Sequence, residues 1–291
     1  MNKLTDNSRR NFLATTIFST AWFGAMMFSP PAVRAQNQNS NSNTDRVVVT
    51  LSDPSRPSTV KASLIAGGIT VKTHEGKDVI VEARARTRDS GDSDGNPKRI
   101  NISSTGLSVE EENNQVRIST ESHMRAIELT ITVPVHTSLY LRAVNEGDIH
   151  VTGVDGELDV DDVNGSVTLS NIAGSAVAHA LNGRLLVTFT RINQKPMAFS
   201  SLNGDIDVTF PADLKANVSL RSDMGDVFSD FDVNMQAAST KPIVEDGRSS
   251  GGKYRVKMDK TVRGTINGGG PEMQFTNFNG AIYIRKAGAP R

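Results

Sequence analysis

The densest group of chemically capable side chains is a run of carboxylates, Asp155, Glu157, Asp159, Asp161 and Asp162. Clustered carboxylates suit a hard cation such as calcium. Two carboxyls at a fixed separation could also serve as the acid pair of a polysaccharide hydrolase or lyase. Glu157, Asp159 and Asp161 alternate with Leu158 and Val160, so a strand would place all three on one outward face. Calcium-binding nonapeptide coils carry paired glycines and an aspartate at set positions in every unit. This run has one glycine per unit and no such aspartate, and reads as a solvated strand face. A sugar-cleaving pair would need a cleft, which the short loops between units do not signal. His74, His123, His136, His150 and His179 are scattered, with none at metal-ligand spacing from another. Gly268-Gly269-Gly270-Pro271 lacks the lysine and following helix of a phosphate loop and reads as a turn. No catalytic, cofactor-binding or metal-binding residue is assigned, and no cofactor is implied.

Composition narrows the classes further. The chain has 291 residues and no cysteine, which excludes disulfides, thiolate zinc sites and iron–sulfur clusters. Residues 1–35 hold Lys3, Arg9, Arg10, Arg34 and Asp6, so the remainder carries 28 basic against 31 acidic residues. That balance gives no concentrated basic face for nucleic acid. The only tryptophan is Trp22, so the rest of the chain has none on which to stack a sugar.

The first 45 residues read as an address and a spacer. Ser8-Arg9-Arg10-Asn11-Phe12-Leu13 resembles a twin-arginine export signal, although Ala14 stands where lysine is common. Phe12 to Phe28 is apolar or small, and Val33 and Ala35 suit cleavage after Ala35. The expectation is a signal peptide over 1–35, with no membrane span once it is removed. Residues 36–45, QNQNSNSNTD, contain no apolar side chain and read as a disordered polar linker. A β-repeat domain is expected over 46–286, with a short tail at 287–291.

The positioning elements show themselves in a repeat. Glycines fall at 147, 156, 165, 174 and 183, nine residues apart, and the pattern recurs around Gly204, Gly225 and Gly280. Two positions after each glycine stands an apolar residue, such as Ile149, Leu158, Val167 or Leu185. Four positions after, only Ser229 breaks the apolar series. Two positions before, six of eight are apolar, including Val154, Ile172, Leu181, Leu202 and Phe278. Period-two alternation is the mark of a strand with one buried face, so offsets −2, 0, +2 and +4 are expected to point inward. A corner is then expected near +5 and +6. A meander of hairpins with Asn-Gly turns is the rival. Residues flanking a two-residue turn share a face, whereas here the residue before Asn-Gly is apolar and the one after is polar. The expected architecture is therefore all-β, a single-chain β-solenoid of short repeats with roughly nine-residue half-coil units, carrying inward ladders of Val, Ile and Leu. Shorter apolar runs at 47–49, 69–71, 79–81, 107–109, 116–118 and 127–133 read as less regular strands. Residues 87–99 and 237–252 read as polar surface loops.

Ile127-Glu-Leu-Thr-Ile-Thr-Val-Pro134, followed by units of the form Asn-Gly-x-Ile/Val-x-Val, resembles the bacterial putative-adhesin family of β-strand-repeat envelope proteins, a domain of unknown function. The resemblance spans roughly 60–285. It implies a cell-envelope protein with a solenoid fold and transfers no binding residue. The expected function is an exported, non-enzymatic envelope or surface protein presenting a β-solenoid for adhesion, interaction or structural support in the periplasm or at the cell surface. Its partner would be an envelope protein or a glycan. The alternatives are a β-helix polysaccharide-active enzyme using the outward carboxylates, and an accessory or sensor subunit in envelope stress signalling.

Overall fold

Inward-facing Val, Ile and Leu at every second position leave each strand with one face that only a neighbour can cover. In the computed structural model, which describes residues 44–86, 105–121, 125–236, 243–246, 254–257 and 261–289, that neighbour is a parallel strand from the adjacent coil. The expected signal peptide, all but two residues of the expected linker, the 87–99 loop and His123 lie outside the described residues. Among the described residues there is no helix. Twenty strands are hydrogen-bonded into one continuous sheet, and Ile243–Asp246 pairs with Tyr254–Lys257 in a separate antiparallel hairpin. The sequence had placed Ile243–Asp246 in a loop.

The chain winds through two parallel ladders. One stacks Ser58–Ala66, Thr137–Asn145, Asp155–Asp162, the second half of Val167–Ala180, Met197–Asn203, Glu272–Asn279 and Ala216–Ser222. The other stacks Ile69–His74, Ile149–Thr152, the first half of Val167–Ala180, Leu185–Ile192, Ile206–Phe210, Ile282–Lys286 and Val227–Ser229. These parallel registers overturn the hairpin meander. Inside, side chains at +2 and +4 stack on one another and are buried, among them Ile149, Val167, Leu185, Ile206 and Ile282. Phe189, Phe199, Phe210 and Phe275 fill the wider part of the core, with Phe189 stacked on Phe210 at 5.3 Å and Phe199 on Phe275 at 5.2 Å. The 216–229 coil departs from the pattern, because Val227 at +2 is exposed on the last strand of its ladder.

The glycines belong to two classes that a nine-residue alignment merges. Gly156 and Gly174 lie within strands, and the residues two before them, Val154 and Ile172, are fully buried. Gly147, Gly165, Gly183, Gly204 and Gly280 lie at a corner between strands. The residues two before the last three, Leu181, Leu202 and Phe278, are 43%, 40% and 46% exposed. The inward assignment of those three is thus corrected. Alternation along the incoming strand already puts these side chains outside, after inward Ala180, Ser201 and Asn277, and the chain turns at the glycine, where the parity is reset. A Cβ on Gly165 would sit 2.1 Å from the carbonyl oxygen of Gly147, and one on Gly183 equally close to that of Gly165. Backbone stacks on backbone at this corner, and no other residue type fits. Gly147, Gly165 and Gly183 therefore stack at eighteen-residue intervals.

The coils do not stack in chain order. The 58–74 coil sits between the strands of 115–134 and the 137–152 coil. At the other end, the 272–286 coil is inserted between the 197–210 and 216–229 coils. Antiparallel strands close the ends: Leu107–Glu112, Asp78–Ala85 and Thr44–Thr50 at one, Val262–Ile266 and Val233–Met235 at the other. Covered ends reduce the open strand edges that recruit other chains.

Candidate interaction surface

The acidic run resolves into several environments. Asp155 accepts a hydrogen bond from Arg191 at 2.8 Å and lies 3.3 Å from His136 Nδ1. Glu157 pairs with Lys195, and Asp161 lies 3.4 Å from Arg142. These acids face outward as expected, but three of them already have a cationic partner. Asp162 is different. The strand ends there, its side chain turns inward, and it is 2% exposed. Neither carboxylate oxygen has a hydrogen-bond partner. Burial pushes its pKa up to about 7, the charge of Asp148 adds to the rise, and the nearby N–H groups of Asn164 and Val163 pull it partly back. Among the described residues, no three His, Asp or Glu side chains converge as metal ligands would. The other histidines are dispersed: His74 bonds the Asp78 carbonyl oxygen at 2.8 Å, and His150 lies 3.9 Å from Asp148. Asn267 and Gly268 form a turn closed by the Gly269 N–H donating to the Ile266 carbonyl oxygen at 3.0 Å, with φ of +84° at Gly268 and +88° at Gly269.

The features that do converge lie at the glycine corner. Outward apolar residues occupy one row on consecutive coils, in the order Ile65, Val144, Val163, Leu181, Leu202 and Phe278. All are exposed except Val163, which is half-buried. Coils in a ladder repeat every 4.7–4.9 Å, so the ridge is about 24 Å long. On one flank runs an asparagine ladder. Asn164 donates to Asn145 at 2.8 Å, Asn182 to Asn164 at 3.0 Å, and Asn203 to Asn182 at 2.8 Å. These side chains hydrogen-bond one another from coil to coil along the corner.

On the other flank, Arg142, Asp161, His179 and Ser200 follow on successive coils. Between this row and the ridge lies a groove of about 370 Å³ whose lining is mostly apolar. His179 Nδ1 and Ser200 Oγ share a hydrogen bond. Asp, His and Ser are the residue types of a hydrolytic triad. Here, however, the cation 3.4 Å from the carboxylate is Arg142, and the strand amides that an oxyanion hole would need are committed to the parallel ladders. The arrangement offers an apolar rail beside a polar one, which is the build of a contact surface.

The sequence reading missed this surface. It buried Leu181, Leu202 and Phe278, and it did not align Ile65 or Val144 with them. The signal was present in the asparagines: Asn164, Asn182, Asn203 and Asn279 precede only the corner glycines, while Asp155 and Ala173 precede the strand glycines.

An all-β stack of parallel coils with an exposed ridge at one corner defines the class. The Toastrack DUF4097 family matches residues 15–267, and the chain belongs to that family. Among solved structures, it is similar to a putative cell adhesion protein from Clostridium sporogenes ATCC 15579, with 12% identity over 84% of this chain and 99% of that one and a TM-score of 0.40. It is also similar to a putative adhesin from Bacteroides fragilis NCTC 9343, with 10% identity over 88% of this chain and 100% of that one and a TM-score of 0.36. No curated protein matches.

Proposed function

We propose that the protein is an exported, non-enzymatic envelope protein whose β-solenoid, built of roughly nine-residue half-coils paired into turns of 18 residues from Gly147 to Gly183 and 21 from Gly183 to Gly204, is a rigid scaffold presenting the corner ridge to another macromolecule. The observation that carries this reading is the row of exposed aliphatic and aromatic side chains on consecutive coils. A contiguous apolar row marks a contact site more often than scattered apolar residues do. Export rests on the twin-arginine motif and the apolar run after it. The role is adhesion, interaction or structural support at the envelope.

A photo-crosslinking residue in place of Leu202 tests it against the same residue in place of Thr188, which faces outward on the opposite ladder. Adducts in envelope fractions are expected from position 202 and not from 188. Equal labelling at both positions, or none at either, would remove the ridge from the account. The polysaccharide-enzyme alternative makes a different prediction: turnover of a glycan by the purified protein, abolished by D159N together with D161N.

A further inference from the structure

We infer that the ridge binds a second copy of this chain, running antiparallel to the first. This rests on the reading of the ridge as a contact surface and names its occupant. The repeat distance of the ridge selects its partner. Side chains on the ridge recur at the 4.7–4.9 Å coil spacing. An α-helix laid along it recurs every 5.4 Å and drifts by about 3 Å over the ridge, more than half a coil. An extended strand presents one face every 6.6–6.8 Å, and a polyproline helix meets only every second coil. Another coil stack meets every one.

Side-chain size along the ridge is graded. From one end, the ridge reads Ile65, Val144, Val163, then Leu181, Leu202, Phe278. The first half is β-branched, and the second half is longer. In an antiparallel pair centred between Val163 and Leu181, Val163 meets Leu181, Val144 meets Leu202, and Ile65 meets Phe278, so every contact joins a shorter side chain to a longer one. A parallel pair would set Phe278 on Phe278 and leave gaps between the valines.

The polar flank also matches across such a pair. A twofold axis that reverses the ridge keeps each flank opposite itself. The polar row, Arg142, Asp161, His179 and Ser200, then places Asp161 of one copy opposite His179 of the other, twice. On the other flank, Asn164 faces Asn182. Such an isologous contact closes on itself and yields a dimer rather than a filament.

The test is sedimentation of the purified mature protein over a concentration series to about 1 mM, with thermal melting to confirm that each variant is folded. The wild type is expected to self-associate, and Leu181→Asp to weaken association at least tenfold. Asp161→Lys, which removes both Asp–His contacts and sets Lys against His, and His179→Glu, which sets Glu against Asp twice, should each weaken it. An equimolar mixture of these two variants should recover it, because the mixed dimer has Lys opposite Glu and Asp opposite His. Since the chain has no cysteine, Val163→Cys mixed with Leu181→Cys should form a disulfide-linked pair faster than either alone. Faster linking of Leu181→Cys to itself would overturn the antiparallel order. No self-association at 1 mM would overturn the second copy as occupant. Adducts to other proteins at position 202 in the envelope experiment would then still uphold the ridge as a contact surface, whereas failure of both would remove both.

Discussion

Asp162→Asn should make the protein more stable near neutral pH, and the size of the gain follows from where Asp162 sits. It occupies an inward row with Ser201 and Asn277 in later coils. Ser201 Oγ donates to the Gly183 carbonyl oxygen at 3.3 Å, and Asn277 Nδ2 donates to that of Gly204 at 2.9 Å. Each therefore satisfies the corner glycine of the preceding coil. Asp162 stands in the same relation to Gly147: the site of a Cβ on Gly165 lies 2.1 Å from Gly147 O and 2.6 Å from Asp162 Oδ2. A carboxylate there sets acceptor against acceptor, whereas a neutral carboxyl or an amide can donate. The folded pKa of about 7 stands above the ordinary 3.8, so the folded state holds the proton across that window. The associated stability is fully present below pH 3.8 and is lost as pH rises through 7. At 1.36 kcal/mol per pH unit, the loss amounts to roughly 4 kcal/mol as an upper bound. In Asp162→Asn this loss disappears. Urea unfolding at a series of pH values should show the variant close to wild type near pH 4 and about 2–4 kcal/mol more stable at pH 8. A variant less stable than wild type at pH 8, or a difference between the two that does not change from pH 4 to 8, would refute the reasoning.

Gly165→Val should destabilise by about 3 kcal/mol or more, because the added carbon meets the Gly147 carbonyl at 2.1 Å; Ser166→Val, on the outside, should stay within about 1 kcal/mol by the same urea assay. Asp207 is 5% exposed and joins three coils, accepting from Arg184 at 3.0 Å and Arg285 at 2.7 Å, so Asp207→Ala should cost about 2–3 kcal/mol in thermal or urea unfolding. Deleting residues 272–291 should remove amide-exchange protection from both 197–210 and 216–229, since the missing coil lies between them; a stack in chain order would lose only its last coil.

The parallel stack was legible because +2 and +4 alternation survives in nearly every unit, and because apolar-then-polar flanks contradict a hairpin at Asn-Gly. A bend at the expected +5 and +6 is present at Gly153 and Asn171, but the corner at the glycine itself was missed, because Leu181, Leu202 and Phe278 are as apolar as the buried Val154 and Ile172; hydrophobicity alone does not say which side of the backbone a residue takes. Asp162 was grouped with Asp161, although alternation along their shared strand puts the two on opposite faces. The interleaved order was not legible at all. The residues of the 216–229 coil fit an end position and a middle position equally, and only the return of 272–286 decides. Ser58–Ala66 went unread as a strand because inward Ser58 and outward Ile65 blur its alternation.

Leu181, Leu202 and Phe278 are the last outward residues before the glycine corner. With no native cysteine in the chain, a single thiol can be placed at each position and its reaction with a soluble thiol reagent timed in the folded protein. Leu181→Cys, Leu202→Cys and Phe278→Cys should react within a few-fold of the unfolded chain, while Val154→Cys and Ile172→Cys react at least ~100-fold more slowly, limited by opening of the core. Protection of Leu181→Cys equal to that of Ile172→Cys would restore the uniform nine-residue register and remove the ridge.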